Sequence, residues 1–178
     1  MNIEIEERVL EVDTNNIINK LELLNATKIG EWYQKRYVYD FNPKRENEWI
    51  RLRTNGEKTT LTYKNIESNS IDGTKELEIE VSDFEETNKL LNILEYKPKA
   101  YQENKRIRYI LNDVEIDIDS WPLIPTYMEI EGKSIEEVKK IEALLDVDIN
   151  KVTTLNCEDI YKQIYGINIQ EISELKFL

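Results

Sequence analysis

The chain has 178 residues, a formal net charge of −12, no histidine and a single cysteine, Cys157. The length fits one domain with a sizeable core, and the acidic charge argues against a nucleic-acid duplex or an anionic membrane surface as the main partner. The absence of histidine excludes Ser-His and Cys-His catalysis. The single cysteine excludes an internal disulfide and favours a cytoplasmic location. No apolar run approaches the roughly 20 residues that span a membrane.

Charges alternate with Ile, Leu or Val in six short stretches, and this period of two is typical of strands whose two faces differ. The first stretch lies at residues 4–8 and is followed by a predicted helix that Asp13 caps and that runs to about Asn25. The other five stretches are residues 50–53, 76–80, 106–108, 115–119 and 129–131.

Three more helices are predicted among and after these strands. Capping boxes open two of them, Ser82 with Glu85 and Ser134 with Glu137. The last runs from about Cys157 to Tyr165, with Gly166 in the position that ends many helices.

Two predicted hairpins set the pairing of the charged strands. A two-residue turn at Asn55-Gly56 pairs Thr54 with Glu57, Arg53 with Lys58, Leu52 with Thr59 and Arg51 with Thr60, and puts Lys64 on the face of Arg51 and Arg53. A turn at Asn112-Asp113 pairs Leu111 with Val114, Arg108 with Asp117, Ile107 with Ile118 and Arg106 with Asp119. In both hairpins the charges share one face, and a slip of one residue would destroy this agreement.

The alternation and the amphipathic helices together favour an α+β fold, in which a closed or nearly closed antiparallel barrel holds the charges inside and the helices pack outside. The alternative is an open sheet whose charged face lies in water. Interior charges are costly unless water, metal or ligand compensates them. A charged lumen therefore implies a bound ion or substrate.

An ordered series of charged motifs runs through these strands: Glu4-x-Glu6-x-Arg8, Arg51-x-Arg53, Lys64, Glu76-x-Glu78-x-Glu80, Arg106-x-Arg108, Asp117-x-Asp119 and Glu129-x-Glu131. The order and completeness of the series resemble the CYTH superfamily, also called the triphosphate tunnel metalloenzymes, over roughly residues 1–132. The resemblance implies an eight-stranded antiparallel tunnel surrounded by helices, a triphosphate-containing small molecule as substrate, and Mg²⁺ or Mn²⁺ as cofactor. The chain then forms one domain, residues 1–178, with the tunnel core at about 1–132 and a helical part at about 133–178.

The resemblance also implies roles for individual residues. Metal ligands are expected at Glu4, Glu6, Glu129 and Glu131, with Asp119 close by. A cationic clamp for the triphosphate is expected at Arg51, Arg53, Lys64 and Arg106, together with Arg108 and Arg8. Catalytic roles are expected at Glu4, Glu6, Arg8 and Glu78, although the register leaves open which of Glu76, Glu78 and Glu80 face the lumen.

One position departs from the family pattern, which is usually Glu-x-Glu-x-Lys. Arg8 keeps the positive charge and can bind phosphate through two hydrogen bonds, but it cannot give up a proton under working conditions. We therefore expect charge stabilisation at this position rather than proton transfer.

Two reactions and one binding role fit this sequence. The leading interpretation is hydrolysis of tripolyphosphate, a nucleoside triphosphate or thiamine triphosphate, and the alternative is a class IV adenylyl cyclase, in which the ribose 3′-hydroxyl of ATP displaces pyrophosphate. Trp32, Tyr33, Tyr37 and Trp121 could stack on a base or simply pack. A non-catalytic polyphosphate or nucleotide sensor is a third interpretation, and an exposed sheet edge or helix face could support a homodimer.

Overall fold

The computed structural model describes residues 2–178. Its strands are β1 (Asn2–Val9), β2 (Thr27–Asp40), β3 (Glu48–Thr54), β4 (Thr59–Ile66), β5 (Thr74–Val81), β6 (Ala100–Leu111), β7 (Val114–Ser120), β8 (Tyr127–Gly132), β9 (Val152–Thr153) and β10 (Glu174–Leu175). The first eight form an antiparallel barrel in the order β6-β2-β3-β4-β5-β1-β8-β7, and β7 pairs back to β6. This closed barrel confirms the predicted fold and excludes the open sheet.

The helices are α1 (Thr14–Leu23), α2 (Phe84–Ile93), α3 (Ile135–Leu144) and α4 (Cys157–Asp159), which continues as a π-helical turn over Ile160–Ile164. Asp13 and Ser134 cap α1 and α3 as predicted. Helix α2 begins one residue later than predicted, because the carboxylate of Asp83, and not the hydroxyl of Ser82, accepts a hydrogen bond from the backbone N–H of Glu86 at 2.8 Å. Two short 3₁₀ turns lie at Ile149–Lys151 and Ile169–Glu171.

The predicted register of the β3–β4 hairpin is wrong by two residues. The observed pairs are Thr54 with Thr59, Arg53 with Thr60, Leu52 with Leu61 and Arg51 with Thr62. The side-chain oxygen of Asn55 accepts hydrogen bonds from the N–H groups of Glu57 and Lys58, at 3.0 and 2.7 Å, and so stabilises a wider loop over residues 55–58. A shift of two residues preserves the parity, so Lys64 still shares the face of Arg51 and Arg53.

The β6–β7 hairpin has the predicted register, including the pairs Arg106–Asp119 and Arg108–Asp117. Its two turn residues, Asn112 and Asp113, have φ angles of 53° and 64°. Asn and Asp adopt this left-handed conformation more readily than most residues, and it matches the twist of a two-residue hairpin.

Three apolar clusters cover the outside of the barrel. Helices α1 and α3 pack on β6, β7 and β8, with Leu21, Ile116, Ile130 and Ile141 fully buried. Helix α2 packs through Leu91 on Tyr39 and Leu52. The C-terminal segment, which we define as residues 152–175, packs through Ile160 and Tyr161 on Leu10, Trp121 and Tyr127.

The outer face of β5 differs from the expectation that helices would cover the apolar faces of the strands. Leu77 and Ile79 lie on this face and are each 54% exposed. In the described part of the chain, no helix is long and apolar enough to cross a membrane.

Candidate active site

The barrel encloses a cavity of about 470 Å³, and every charged residue predicted for the site lines it except Asp119, which is fully buried. Acidic residues that line it are Glu4, Glu6, Glu76, Glu78, Glu115, Glu129 and Glu131, and basic ones are Arg8, Arg36, Arg51, Arg53, Lys64, Arg106 and Arg108. Since successive side chains of a strand alternate between its faces, the period of two in the sequence brings these charges to the lumen. The C-terminal segment also contributes to the wall, through residues 156–159 and Ile169–Gln170.

The acidic side of the cavity is formed by β1, β7 and β8. Antiparallel pairing places Glu6 opposite Glu131, and Arg8 opposite Glu129. Asp119 on β7 is fully buried. The five predicted metal-ligating residues, Glu4, Glu6, Asp119, Glu129 and Glu131, therefore lie on three strands that are adjacent in the barrel.

Lumen cations hold most of these carboxylates. Lys64 donates to both oxygens of Glu4, at 2.9 and 2.8 Å, and its Nζ also lies 3.0 Å from Glu76. Other pairs link Arg8 with Glu6 at 2.6 Å and Glu129 at 2.8 Å, and Arg106 with Asp117 and Asp119, each at 2.5 Å. Within residues 2–178, no group of three or more acidic or thiol side chains is positioned to hold a metal ion.

Glu131 differs from the other carboxylates because no cation of the described residues lies within 4 Å of it. Burial and the negative charges of Glu6 and Glu4 raise its pKa to about 8. Burial also raises the pKa of Glu4, to about 7, with Glu6 adding to the effect and Lys64 opposing it. By contrast, Arg8 and Arg106 outweigh burial at Glu129 and hold its pKa well below the ordinary value.

This set of donors fits a hard divalent cation. Mg²⁺ and Mn²⁺ prefer carboxylate oxygens, and Mg²⁺ usually takes only one or two carboxylates beside phosphate oxygens and water. A cation placed among Glu131, Glu4 and Glu6 would offset the repulsion that raises the pKa of Glu131.

The basic side of the cavity is formed by β2 and β3, and its guanidinium groups repel one another. Burial and the nearby charges of Arg51 and Arg106 lower the pKa of Arg36 to about 10. Burial and three neighbouring arginines lower the pKa of Arg53 as well, against the opposing effect of Glu78. This side therefore favours a bound anion.

Arg36 was not predicted from the sequence. It is 7% exposed and donates to Gln34 and Asn104, and no carboxylate of the described residues lies within 4 Å of its guanidinium. The only available signal was its parity with Gln34, in a strand whose alternate residues mix Glu31 and Lys35 with the buried Tyr39. That signal is too weak to identify a lumen residue.

Arg106 and Arg108 lie in the lumen as predicted, but carboxylates already engage both. Arg106 bonds Asp119 through two of its nitrogens, and Arg108 bonds Asp117 in the same way. The cross-hairpin pairing therefore forms, and for Arg106 it forms in a buried environment with 8% exposure.

The structure also places the three carboxylates that the sequence left open. Glu76 and Glu78 line the cavity, whereas the side chain of Glu80 is 64% exposed and lies 3.8 Å from Lys58. Glu78 accepts a hydrogen bond from the Thr62 hydroxyl at 2.7 Å and lies 3.3 Å from Arg51. It is therefore positioned to orient the basic side.

A second residue missed by the sequence analysis is Trp49. It lines the cavity together with Val38 and Ile66, and shares the parity of Arg51 and Arg53. At about 3.4 Å per residue, it lies roughly 7 Å along the strand from Arg51. Among the aromatic residues that the sequence singled out, only Trp121 lines the cavity, where the Arg36 guanidinium lies 4.5 Å from its ring centre.

Comparisons with known proteins agree with this geometry. The family model described as CYTH domain matches residues 2–165. Among solved structures, the PH1012 protein of Pyrococcus horikoshii OT3 is 26% identical, with a TM-score of 0.73 over 86% of this chain and 96% of that one. A comparison with curated proteins finds no match.

Two more distant structures share the fold. A proposed adenylate cyclase from Vibrio parahaemolyticus is 11% identical, with a TM-score of 0.76 over 93% of this chain and 99% of that one. A proposed adenylyl cyclase from Hippeastrum, described as having a dominant triphosphatase activity, is 14% identical, with a TM-score of 0.61 over 96% and 99% of the two chains.

Proposed function

Because this chain belongs to the CYTH domain family, we propose that it is a metal-dependent triphosphatase whose substrate binds in the lumen of the barrel. The observation that carries the proposal is the separation of uncompensated charge across the cavity. Glu131 on one side has carboxylates and no cation of the described residues beside it, and Arg36 on the other side has arginines and no carboxylate beside it. Arg53 also lies among arginines and has only Glu78 as an acidic partner, at 3.6 Å. A complex of a divalent cation with a triphosphate supplies the missing charge on both sides.

The basic side binds and orients the phosphate chain. Arg36, Arg51 and Arg53 supply guanidinium groups that can each donate two hydrogen bonds to phosphate oxygens, while Glu78 holds Arg51 in place. Lys64 and Arg106 are available to the same chain if it displaces their carboxylate partners. Together these groups offset the roughly four negative charges of a triphosphate.

Hydrolysis requires an in-line attack on the terminal phosphorus. The oxygen of a water molecule bonds to that phosphorus, the bond to the bridging oxygen breaks, and the proton of the water passes to the acidic side. A divalent metal held by Glu4, Glu6, Glu129 and Glu131 would supply positive charge against the transferring phosphoryl group. The arginines stabilise the diphosphate as it leaves.

Trp49 favours a substrate that carries a flat ring beyond its phosphates. A ring attached to the phosphate chain could stack on the indole while the phosphates reach Arg51 and Arg53. Replacing Trp49 with Leu should therefore raise KM for ATP or thiamine triphosphate about tenfold and leave KM for tripolyphosphate unchanged. The same platform would hold the adenine of ATP in a cyclase, and this keeps cyclisation as the second candidate.

The test is to supply tripolyphosphate, ATP and thiamine triphosphate with Mg²⁺ or Mn²⁺ and to identify the products. Orthophosphate supports hydrolysis, whereas cyclic AMP with pyrophosphate supports the cyclase. We expect Glu6→Gln to lower kcat at least about 100-fold, with Glu80→Gln, at the exposed rim, as the matched control. Tight binding of tripolyphosphate without any product under either metal would favour the sensor interpretation and overturn the proposal that the protein is an enzyme.

A further inference from the structure

Arg8 is held differently from the lumen arginines that repel one another. Its Nη2 contacts Glu6 at 2.6 Å and Glu129 at 2.8 Å, and its Nη1 donates to the backbone carbonyl of Leu155 at 3.1 Å. The residue is 6% exposed. Two carboxylates and one carbonyl thus already occupy both terminal nitrogens.

We propose that Arg8 is a positioning residue, which fixes two metal-ligating carboxylates to the C-terminal segment, rather than a ligand of the phosphate chain. Insofar as it concerns metal, the proposal rests on the proposed function. It replaces the phosphate-binding role that the sequence motif implied for this position.

The shape of the Arg8 guanidinium suits a bridge between several acceptors. Its planar fork presents donors in several directions at once, so one side chain can bridge Glu6 on β1, Glu129 on β8 and Leu155. Arg8 divides these contacts between Nη2, which holds the two carboxylates, and Nη1, which holds the carbonyl, whereas a lysine would have to make all three from one nitrogen. The arginine found in place of the usual lysine is therefore suited to a bridge.

Leu155, which accepts the bond from Arg8, lies between two elements of the C-terminal segment. Just before it, β9 pairs with Arg8 and Val9 of β1, and just after it Asn156 caps α4. From this point the chain enters the cavity wall at Cys157 and then the buried cluster at Ile160 and Tyr161. The bond from Arg8 therefore lies where the C-terminal segment leaves the barrel strands and joins the lumen.

The acidic partners of Arg8 also distinguish it from the other lumen arginines. Arg8 has two carboxylates within 2.8 Å, whereas no carboxylate of the described residues lies within 4 Å of Arg36, and Arg53 has only Glu78, at 3.6 Å. An incoming phosphate gains more from the arginines that lack a strong acidic partner. Drawing Arg8 away would leave two buried carboxylates uncompensated, which is costly.

The experiment compares Arg8→Lys with wild type by three measurements. They are calorimetric Mn²⁺ affinity without substrate, tripolyphosphate affinity in EDTA, and amide hydrogen exchange across residues 152–160. We expect the Kd for Mn²⁺ to rise about 10- to 100-fold, as it does when a group that orients metal ligands is lost. Exchange in residues 152–160 should quicken, and metal-free tripolyphosphate affinity should stay within about threefold.

Thr154→Val is the matched control, because it removes an exposed hydrogen bond of the same segment, from the Thr154 hydroxyl to the Asn69 carbonyl, that does not involve Arg8. It should leave the Mn²⁺ affinity within about twofold. A tenfold loss of metal-free tripolyphosphate affinity in Arg8→Lys, with Mn²⁺ affinity intact, would make Arg8 a phosphate ligand and overturn the proposal.

Two further outcomes are also decisive. If the wild-type protein binds no Mn²⁺, the proposed function fails. The role of Arg8 in fixing the C-terminal segment is tested separately, because unchanged amide hydrogen exchange in Arg8→Lys overturns it. If Arg8→Lys does not fold, Tyr161→Phe serves instead, since it loosens the same segment by removing a 2.5 Å hydrogen bond to the Pro122 carbonyl. This variant should weaken Mn²⁺ binding several-fold. An unchanged Mn²⁺ affinity would refute the coupling between the C-terminal segment and the metal-ligating carboxylates.

Discussion

The position of Glu131 should favour metal binding while lowering the folding stability of the metal-free protein. Glu131 faces Glu6 across the β1–β8 pair and Glu115 across the β7–β8 pair. The neighbouring Glu115 has Arg108 at 2.5 Å, whereas the described residues place no cation beside Glu131. The site therefore retains a repulsion that a bound cation would relieve.

We predict that Glu131→Gln stabilises the metal-free protein while weakening metal binding. The folded-state pKa of about 8 lies above that of the unfolded chain, so the folded protein holds a proton that the unfolded chain releases. Wild-type stability should therefore fall as the pH rises from the ordinary carboxyl range to about 8. At pH 8 the variant should gain about 1–2 kcal/mol, or roughly 3–6 °C in Tm by calorimetry in EDTA.

Glu115→Gln is the control for this prediction. It lies directly opposite Glu131 on β7 but gives up its contact with Arg108. It should not increase stability as the Glu131 variant does. Equal stabilisation by both variants would mean that general lumen charge, and not the missing partner of Glu131, sets the effect.

The sequence revealed most lumen charges because alternation in a strand is a strong signal, but its signal for two lumen residues was too weak. Arg36 was hidden because the alternate residues of β2 mix charged side chains with tyrosines, and Trp49 because an aromatic residue in a strand is usually interpreted as packing. Which arginines have acidic partners also depends on contacts between distant strands. Such contacts cannot be read from local spacing.

At the level of elements, the two hairpins show what a turn motif can and cannot predict. The β6–β7 register follows from two adjacent residues that both tolerate positive φ. The β3–β4 register does not follow from Asn55-Gly56, because the Asn55 side chain binds backbone N–H groups two and three residues later. These local side-chain hydrogen bonds favour the wider loop over residues 55–58 instead of the commoner two-residue turn.

We predict that Asp113→Gly stabilises the protein by about 0.5–1 kcal/mol, since glycine adopts positive φ without a steric cost, and that Asp113→Ala destabilises it by about 1 kcal/mol. Urea unfolding measures both changes. Gly56→Ala is a useful comparison, because φ there is +89° and an added Cβ meets nothing within 4 Å. Its loss of stability would report the backbone strain alone, and a stabilising Asp113→Ala would contradict the argument.

Considered as a whole, the barrel interior is a network of ion pairs, and the proposed metal–triphosphate complex would replace some of them. Lys64 holds Glu4 and Glu76, so a phosphate that recruits Lys64 leaves Glu4 without its partner. A metal at Glu4 removes that cost, and a phosphate at Lys64 likewise frees Glu4 for the metal. Each ligand therefore prepares the site for the other.

We predict positive coupling between the two ligands. Saturating Mg²⁺ should tighten tripolyphosphate binding about tenfold, after correction for the complex that the two form in solution, and the effect must be reciprocal. Isothermal titration measures it in both orders. Lys64→Met should reduce the coupling to about threefold or less, and undiminished coupling in that variant would show that the exchange does not run through Lys64.

The pairing of β1 has a consequence for the order in which the molecule assembles. This strand contacts β5 through three residue pairs, β8 through five and β9 through two. Although β1 is made before them, its pairing at residues 5–9 depends on partners at 128–132 and 152–153, which leave the ribosome much later. Strand pairings this distant in sequence form slowly, because the chain loses the entropy of closing a long loop before the new contacts stabilise it. The half of β1 that carries Glu6 and Arg8 therefore completes its pairing late, and the acidic side is complete only when nearly the whole barrel has been synthesised.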